Sequence, residues 1–558
     1  MPAIKKFITI ITFFQILLLN FCYGSENEPK SYYVKPIDVV CDYLFNDTTK
    51  WAITCRVWGL LKYYHPNVAT GKLDWDEVLI KWIDKINEAK TVEQANTELM
   101  QMIQIAGEYK FIKDTTKNES LNMNVNLCWL DNSFINDSIR QTLRAIAFLP
   151  INQPSHYIKM DESRGIPMPN EKDYGLYVIS QYEYRLLSLF RYWNVIYYFY
   201  PYKYLMDQSW DETLLEFIPQ FINAFDAPSY YRAVSKLATR LNDGHAFTTV
   251  TPANYRCKVN YLTLIDSSTV VRIPPEGSFL ESGDIILSMN EKNIMSVRDS
   301  ISAFIPSSNK HYMGNYVNCR IYISIIDGCT LTVMRNQQVV TINEERKPYP
   351  IIASDSTSYD TISPDIGYVN LDFLKSADIP DMMESMKDYK GIIFDLRNYP
   401  SHFRAWDLLS HLSSTQEYCF ALATLVDMSY YGAFYEDECI TKCPDELWQR
   451  RKKYNGRVVV LINAMSISWA ETLAMRFRYH GSTLIGTPTA GANGNTAEFS
   501  LSGVIKVSYS ALGFYYSNGE QTQRKGIIPD IEVYPTMDDI MAGRDEVLEA
   551  AIIYINSN

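Results

Sequence analysis

Apolar positions along the chain fall into three textures. Up to about Val250 they lie at helical spacing, in stretches such as Trp58-Gly-Leu-Leu-Lys-Tyr-Tyr-His-Pro66 that a proline stops, and resume after a loop in an acidic first turn, Trp75-Asp-Glu77. From about Asn254 to Glu345 the runs shorten and become β-like. Within them Ser282-Gly-Asp-Ile-Ile-Leu-Ser-Met-Asn290 reads as a strand and its turn, with a helix following over 297–305. From Ile366 onward, short buried strands alternate with helices: Ile366-Gly-Tyr-Val-Asn-Leu-Asp-Phe373, then a helix, then Gly391-Ile-Ile-Phe-Asp-Leu-Arg397. The run Val458-Val-Val-Leu-Ile-Asn-Ala-Met465 breaks at Ser466-Ile-Ser468 into the helical Ala470-Glu-Thr-Leu-Ala-Met-Arg-Phe477. A serine at such a junction either caps the helix or is exposed as a nucleophile beside unpaired backbone N–H groups.

The first texture repeats. Trp58 to Trp193 and Trp75 to Trp210 both span 135 residues, and the proline stops at Pro66 and Pro201 share that offset without a gap. Duplication of one helical unit is the simplest account. The two copies end differently: the second closes on Leu241-Asn-Asp-Gly-His245, where the first has Ala106-Gly-Glu-Tyr-Lys110. A histidine in only one copy points to chemistry there and to scaffold in the other. Between the copies, residues 110–180 are polar and loop-rich, with a short helix expected near 139–148.

Composition narrows the classes of function. At 558 residues the chain exceeds one core and should divide into several domains. A net charge of −12 argues against a nucleic-acid partner. Lys5 and Lys6 precede an apolar run to Phe21, which reads as a signal segment cleaved near Gly24-Ser25. Lipidation at Cys22 is the alternative, and the bulky Phe21 argues against it; only in that case is peripheral membrane attachment expected. The mature protein is expected to be exported: periplasmic, cell-surface or secreted. Removing Cys22 leaves an odd number of the ten cysteines, and Cys439 with Cys443 form the expected local disulfide. No histidine and cysteine spacing suits zinc, so neither metal nor cofactor is expected.

Downstream of the serine turn come Gly486-Thr-Pro-Thr-Ala-Gly491, Gly526-Ile-Ile-Pro-Asp530 and Gly543-Arg-Asp-Glu546. In this order the motifs resemble the core of the C-terminal-processing (tail-specific) and tricorn-type serine peptidases, over about Arg240 to Tyr554. The resemblance implies an α/β multidomain protein with a ClpP/crotonase-like catalytic core, a PDZ-like β-rich domain and the N-terminal duplicated helical region. The expected boundaries are 1–24 for the signal, 25–110 and 181–253 for the repeats, 111–180 for a linker, 254–345 for the PDZ-like domain and 346–558 for the core. The substrate is expected to be a peptide or protein. No substrate-binding residue is assigned.

The same resemblance assigns the site. Ser468, three residues before Glu471, takes the nucleophile's position, and Ser466 becomes a cap or neighbour. Processing peptidases carry a lysine base after Gly-x-x-Thr-x-Gly, but this chain reads Thr489-Ala-Gly-Ala-Asn493, leaving Lys506 and Lys525 as distant substitutes. The tricorn-like Asp-x-His turn is present, so His245 is the expected base, with an unperturbed pKa suited to neutral pH. Glu520 is the expected third catalytic residue, with Asp243 the alternative. Trp469 supplies one oxyanion N–H. The strand ending in Asp395-Leu-Arg397 lacks the family's two glycines, so Ser401 is the expected second donor, and His402 is a minor rival base. The expected activity is hydrolysis of peptide bonds through an acyl-enzyme on Ser468. An inactive peptide- or ligand-binding scaffold of the same fold is the alternative, and a hydrolase for other substrates is a third reading.

Overall fold

The proline stops, the caps and the tryptophans of the duplicated unit shape the first third of the protein. A computed structural model describes residues 42–109, 122–147, 149–161, 165–250, 261–347, 358–413, 420–438 and 453–557. The signal-like segment with Cys22 and the Cys439/Cys443 pair lie outside these residues. The first copy is α1 (Asp47–Tyr64), α2 (Trp75–Glu88) and α3 (Val92–Ile105). A short strand β1 (Asn122–Met123) and α4 (Asp137–Ala147) follow. The second copy is α5 (Tyr182–Phe199), α6 (Trp210–Ile222) and α7 (Ala227–Thr239). His65 and Tyr200, each before a proline, are extended and end α1 and α5.

The two copies bind each other reciprocally. Within each, the indoles exchange bonds with the partner's backbone: Trp58 Nε1 donates to Trp75 O at 3.1 Å and Trp75 Nε1 to Trp58 O at 3.0 Å. Trp193 and Trp210 do the same at 2.8 and 2.9 Å. Between copies, Arg56 donates to Asp211 at 2.8 Å, and its counterpart Arg191 pairs with Asp76. Gly59 and its counterpart Asn194 meet at the crossing; a Cβ on Gly59 would lie 1.8 Å from Asn194 Oδ1, so only glycine fits. These pairs are buried, so each half of the duplication completes the other's charges.

The next region builds an antiparallel sheet from β2 (Leu262–Ile265), β3 (Ser268–Val271), β4 (Ile285–Met289), β5 (Lys292–Asn293), β6 (Cys329–Arg335) and β7 (Gln338–Glu344). The order is β2-β3-β4-β6-β7, with β5 paired to β4, so β2 is an edge strand. Asn290 and Glu291 take positive φ between β4 and β5, as a two-residue hairpin requires. Helix α8 spans Ile294–Ser302 and starts earlier than the 297–305 read from sequence, because Asn293 Oδ1 caps it by accepting from Met295 N at 2.8 Å. Helix α9 (Lys310–Ile326) packs against β2.

The third region supplies β8 (Tyr359–Ser363), β9 (Ile366–Asn370), α10 (Ile379–Ser385), β10 (Gly391–Asp395), α11 (Ala405–Leu412), β11 (Ala421–Val426) and β12 (Ala433–Glu438). It continues through β13 (Arg457–Ile462), α12 (Trp469–Tyr479), β14 (Thr483–Gly486), β15 (Thr496–Leu501), β16 (Ile505–Ser510), β17 (Gly513–Tyr516), β18 (Ile531–Glu532), α13 (Met537–Met541) and α14 (Glu546–Asn556). The central sheet runs β18-β14-β13-β10-β9-β8, parallel except for β8. Its strands are continuous apolar runs because both faces are covered. Ile392, Phe394, Val460, Ile462 and Leu484 face the cluster that includes α12, whereas Ile393, Val459, Leu461 and Ile485 face α14. The parallel pairing brings Asp395, Ile462 and Gly486 to one edge.

The β15–β16 hairpin links the third region to the second helical copy, with Phe499 against Tyr192 at 5.7 Å and Tyr509 against Tyr200 at 6.2 Å. The segment after His245 lines up beside it, Thr249 N donating to Lys506 O and Ser508 N to Phe247 O, both at 2.9 Å. Cys128 and Cys319 are disulfide-bonded, while Cys55 and Cys329 are buried free thiols. Among the described residues no helix is long and apolar enough to cross a membrane, and no His, Cys, Asp and Glu cluster could hold a metal ion.

Candidate active site

At the carboxyl end of β13 the chain must turn from the buried strand into α12, and Ser468 stands at that corner as the N-cap with φ 60° and ψ −120°. Such a conformation is normally left to glycine, so a serine here holds backbone strain. Its N–H donates to Ala492 O at 2.9 Å and to Glu471 Oε2 at 3.2 Å. Ser466 is buried and committed elsewhere: its Oγ donates to Leu396 O at 2.8 Å and accepts from Asn463 N at 3.2 Å, tying the turn after β13 to the turn after β10.

The downstream motifs hold this corner in place. Glu471 is buried and its carboxylate accepts from Thr489 Oγ1 (2.5 Å), Gly491 N (2.9 Å), Ala492 N (3.0 Å) and the Ser468 N–H. Burial pushes its carboxyl up to about 7, against the hydrogen bonds, which pull the other way. Thr489 Oγ1 also accepts from Ile527 N at 2.6 Å, and a Cβ on Gly526 would lie 2.5 Å from Thr489 O. Asp530 then accepts from Leu484 N at 2.8 Å. The Gly-x-x-Thr-x-Gly and Gly-x-x-Pro-Asp motifs are thus spacers and anchors for the serine corner.

His245 is almost fully buried in the turn after α7. Its Nδ1 lies 2.9 Å from Ser510 Oγ, and Ser510 Oγ lies 2.9 Å from Asp243 Oδ1. A carboxylate only accepts, so the serine proton goes to Asp243 and Ser510 must accept from His245 Nδ1–H. This order of donors fixes the imidazole with its proton on Nδ1 and its lone pair on Nε2, the tautomer a general base needs. Asp243 has no exposed surface and also accepts from His245 N (3.0 Å), Gln523 Nε2 (3.1 Å) and Ser510 N (2.8 Å). The turn abuts the serine corner directly. A Cβ on Gly244 would lie 3.1 Å from Ala492 Cβ and 3.4 Å from Ile467 Cδ1, and Ala492 is the residue whose carbonyl holds the Ser468 N–H.

Glu520 does not occupy the third position. Its side chain is 56% exposed and lies 3.6 Å from Lys525 Nζ, because the turn after β17 projects it outward. The acidic partner of His245 is Asp243, reached through Ser510. Lys506 is also exposed and pairs with Glu498 at 2.9 Å. Trp469 N–H, at the first position of α12, is not hydrogen-bonded to another described residue. The Ser401 N–H is likewise unbonded, on the turn after β10 that Ser466 links to the serine corner, and its Oγ lies 3.0 Å from Nε2 of the exposed His402. Ser510 was beyond the reach of sequence reasoning: one serine at the end of a strand carries no spacing signal.

Residues 365–533 match the model of peptidase family S41. A search of curated proteins finds no match. Among solved structures, mature CPAF complexed with lactacystin superposes with a TM-score of 0.51 at 12% identity, over 67% of this chain and 98% of that one. The photosystem II D1 C-terminal processing protease gives 0.37 at 15% identity over 65% and 98%. The tricorn protease gives 0.35 at 13% identity over 67% and 36%. The likeness to CPAF is one of fold; the family match covers the serine corner and every motif that anchors it. Through these residues the chain carries a domain that matches peptidase family S41, and it is a serine-type peptidase of α/β multidomain fold.

Proposed function

We propose that the chain is an exported serine peptidase that cleaves peptide bonds through an acyl-enzyme on Ser468, with His245 as general base. The observation that carries this reading is the Asp243–Ser510–His245 chain of hydrogen bonds, in a turn packed against the residues flanking Ser468. Ser468 loses its proton to His245 Nε2 as its oxygen attacks the substrate carbonyl. The N–H groups of Trp469 and Ser401 take the developing oxyanion, and the α12 dipole adds to their effect. The imidazolium then protonates the leaving amine, and water repeats the sequence on the ester. Asp243 and Ser510 act as positioning residues that hold the tautomer.

A peptide fits the surroundings. The free edge of β2, the first turns of α9 and the ends of β13 and β14 enclose a cavity of about 290 Å³, lined by Leu264, Lys310, His311, Gly314, Asn463 and Thr487. An edge strand beside a helix is the geometry by which a PDZ-like domain adds an extended peptide to its sheet. Asn463 continues into the serine corner, so a strand bound on β2 leads toward Ser468. The disulfides at Cys128 and Cys319 and the apolar amino-terminal segment support export. The test is labelling by a fluorophosphonate together with hydrolysis of a peptide panel. Wild type is expected to be labelled on Ser468 and to turn over peptides, with both lost in Ser468→Ala; labelling retained in Ser468→Ala would overturn the assignment, and an unlabelled wild type would favour an inert scaffold.

A further inference from the structure

The two halves of the catalytic pair come from regions far apart in sequence, and a third region touches both. Ser308 and Asn309 lie between α8 and α9 in the antiparallel domain. Ser308 is buried, and its Oγ accepts from Gly244 N at 2.7 Å, one residue before His245. Asn309 caps α9 by accepting from Tyr312 N at 2.9 Å, and its Nδ2 donates to Thr489 O at 2.9 Å. Thr489 in turn donates to the Glu471 carboxylate that holds the Ser468 N–H. Two consecutive residues therefore grip the base turn and the nucleophile loop. The packing agrees: Ile467, Ala490 and Ala492 belong to the same apolar cluster as Ile305, Tyr312 and Leu262.

We infer that Ser308 and Asn309 are positioning residues of the catalytic site, through which the antiparallel domain sets the approach of His245 to Ser468. The inference rests on the Ser468–His245 reading above. Its physical basis is that a nucleophile and a base on separate loops react only when held in register, and small misplacements are expensive in rate. Lys310, His311 and Gly314, in the first turns of α9 after this cap, line the cavity beside β2. A peptide seated there bears on the same helical turn that holds both catalytic loops, so substrate occupancy and catalytic geometry are joined at residues 308–309.

Two substitutions separate positioning from folding. Ser308→Ala removes the acceptor without adding bulk. Asn309→Asp keeps the cap for α9 but removes the amide donor to Thr489. Rates are measured per folded molecule in the full-length protein, with thermal melting alongside. Each variant is expected to lose about tenfold in kcat and in fluorophosphonate labelling rate, the factor one ordinary hydrogen bond supports, with KM and melting temperature near wild type. Wild-type kcat in both variants, while labelling still requires Ser468, would overturn this inference and leave the peptidase reading intact. A loss that only tracks the unfolded fraction would overturn it as well. Absence of Ser468-dependent labelling in the wild type would remove the reading and the inference together.

Discussion

The two helical copies share a backbone plan and differ in the segment beyond their last helix. In the first copy α3 leads into Gly107, with φ 82°, and in the second α7 leads into the equivalent Asn242, with φ 51°. Both exits are held by the residue before the proline stop: His65 Nε2 lies 3.1 Å from Gly107 O, and Tyr200 OH donates to Leu241 O at 3.2 Å. Beyond that point they part. Glu108 is exposed, whereas its counterpart Asp243 is buried between β16 and Gln523 and orients a histidine. The two copies thus share a helical frame, and the second copy's exit alone, among the described residues, packs beside the β15–β16 hairpin and the serine corner.

The largest effects are expected at the shared frame. Asp211→Ala leaves the buried Arg56 without its carboxylate and is expected to cost roughly 3–5 kcal/mol in denaturant unfolding, whereas in Asp76→Ala the buried Arg191 keeps Glu171 at 2.9 Å. The Asp76 change is expected to be the milder, since Glu171 also stays 2.7 Å from Lys62, the other cation beside that carboxylate. Equal and small losses would show that the reciprocal pairs are not what joins the copies.

At the exits the outcomes should diverge. Asp243→Asn is expected to lower kcat by about 10²-fold by releasing the His245 tautomer, with little change in folding. Glu108→Gln, at the matching position, is expected to leave kcat unchanged. Similar kinetics in the two variants would contradict the division of labour.

A pH series sharpens the contrast between His65 and Tyr200. Burial lowers the His65 pKa from 6.5 to about 4, so the folded protein binds that proton less tightly than the unfolded chain. Its contribution to stability is therefore present above about pH 6.5 and is lost as pH falls toward 4. His65→Tyr installs the residue of the other copy, and its melting temperature is expected to fall less than that of wild type between pH 6.5 and 4. Parallel curves would show that His65 has no part in the acid sensitivity. Least costly, Gly107→Ala and Asn242→Ala each force alanine into a left-handed position and are expected to destabilise by about 1 kcal/mol in thermal melts.

Much of the fold was legible in the chain because it is periodic or local. The alternating two-faced strands, the 135-residue offset with its tryptophans and prolines, and the serine between a strand and a helix are short-range patterns that packing enforces. Asp243-Gly-His245 was legible as a turn. Glu520 was expected as the acid from its proximity to the Gly526-Ile-Ile-Pro-Asp530 motif, but proximity in sequence does not say which way a turn projects, and its side chain is exposed. Ser510, Ser308 and Asn309 make hydrogen bonds across more than sixty residues of chain, and such contacts leave no spacing to read.

The central claim is that His245, held by Ser510 and Asp243, activates Ser468. Its most direct measurement is the rate of Ser468 modification by a fluorophosphonate as a function of pH, in wild type and in His245→Gln. The wild-type rate is predicted to rise with pH as a histidine base loses its proton, and the His245→Gln rate to be lower by at least about 10²-fold with no such rise. A His245→Gln protein that is labelled on Ser468 at the wild-type rate with the same pH dependence would contradict it.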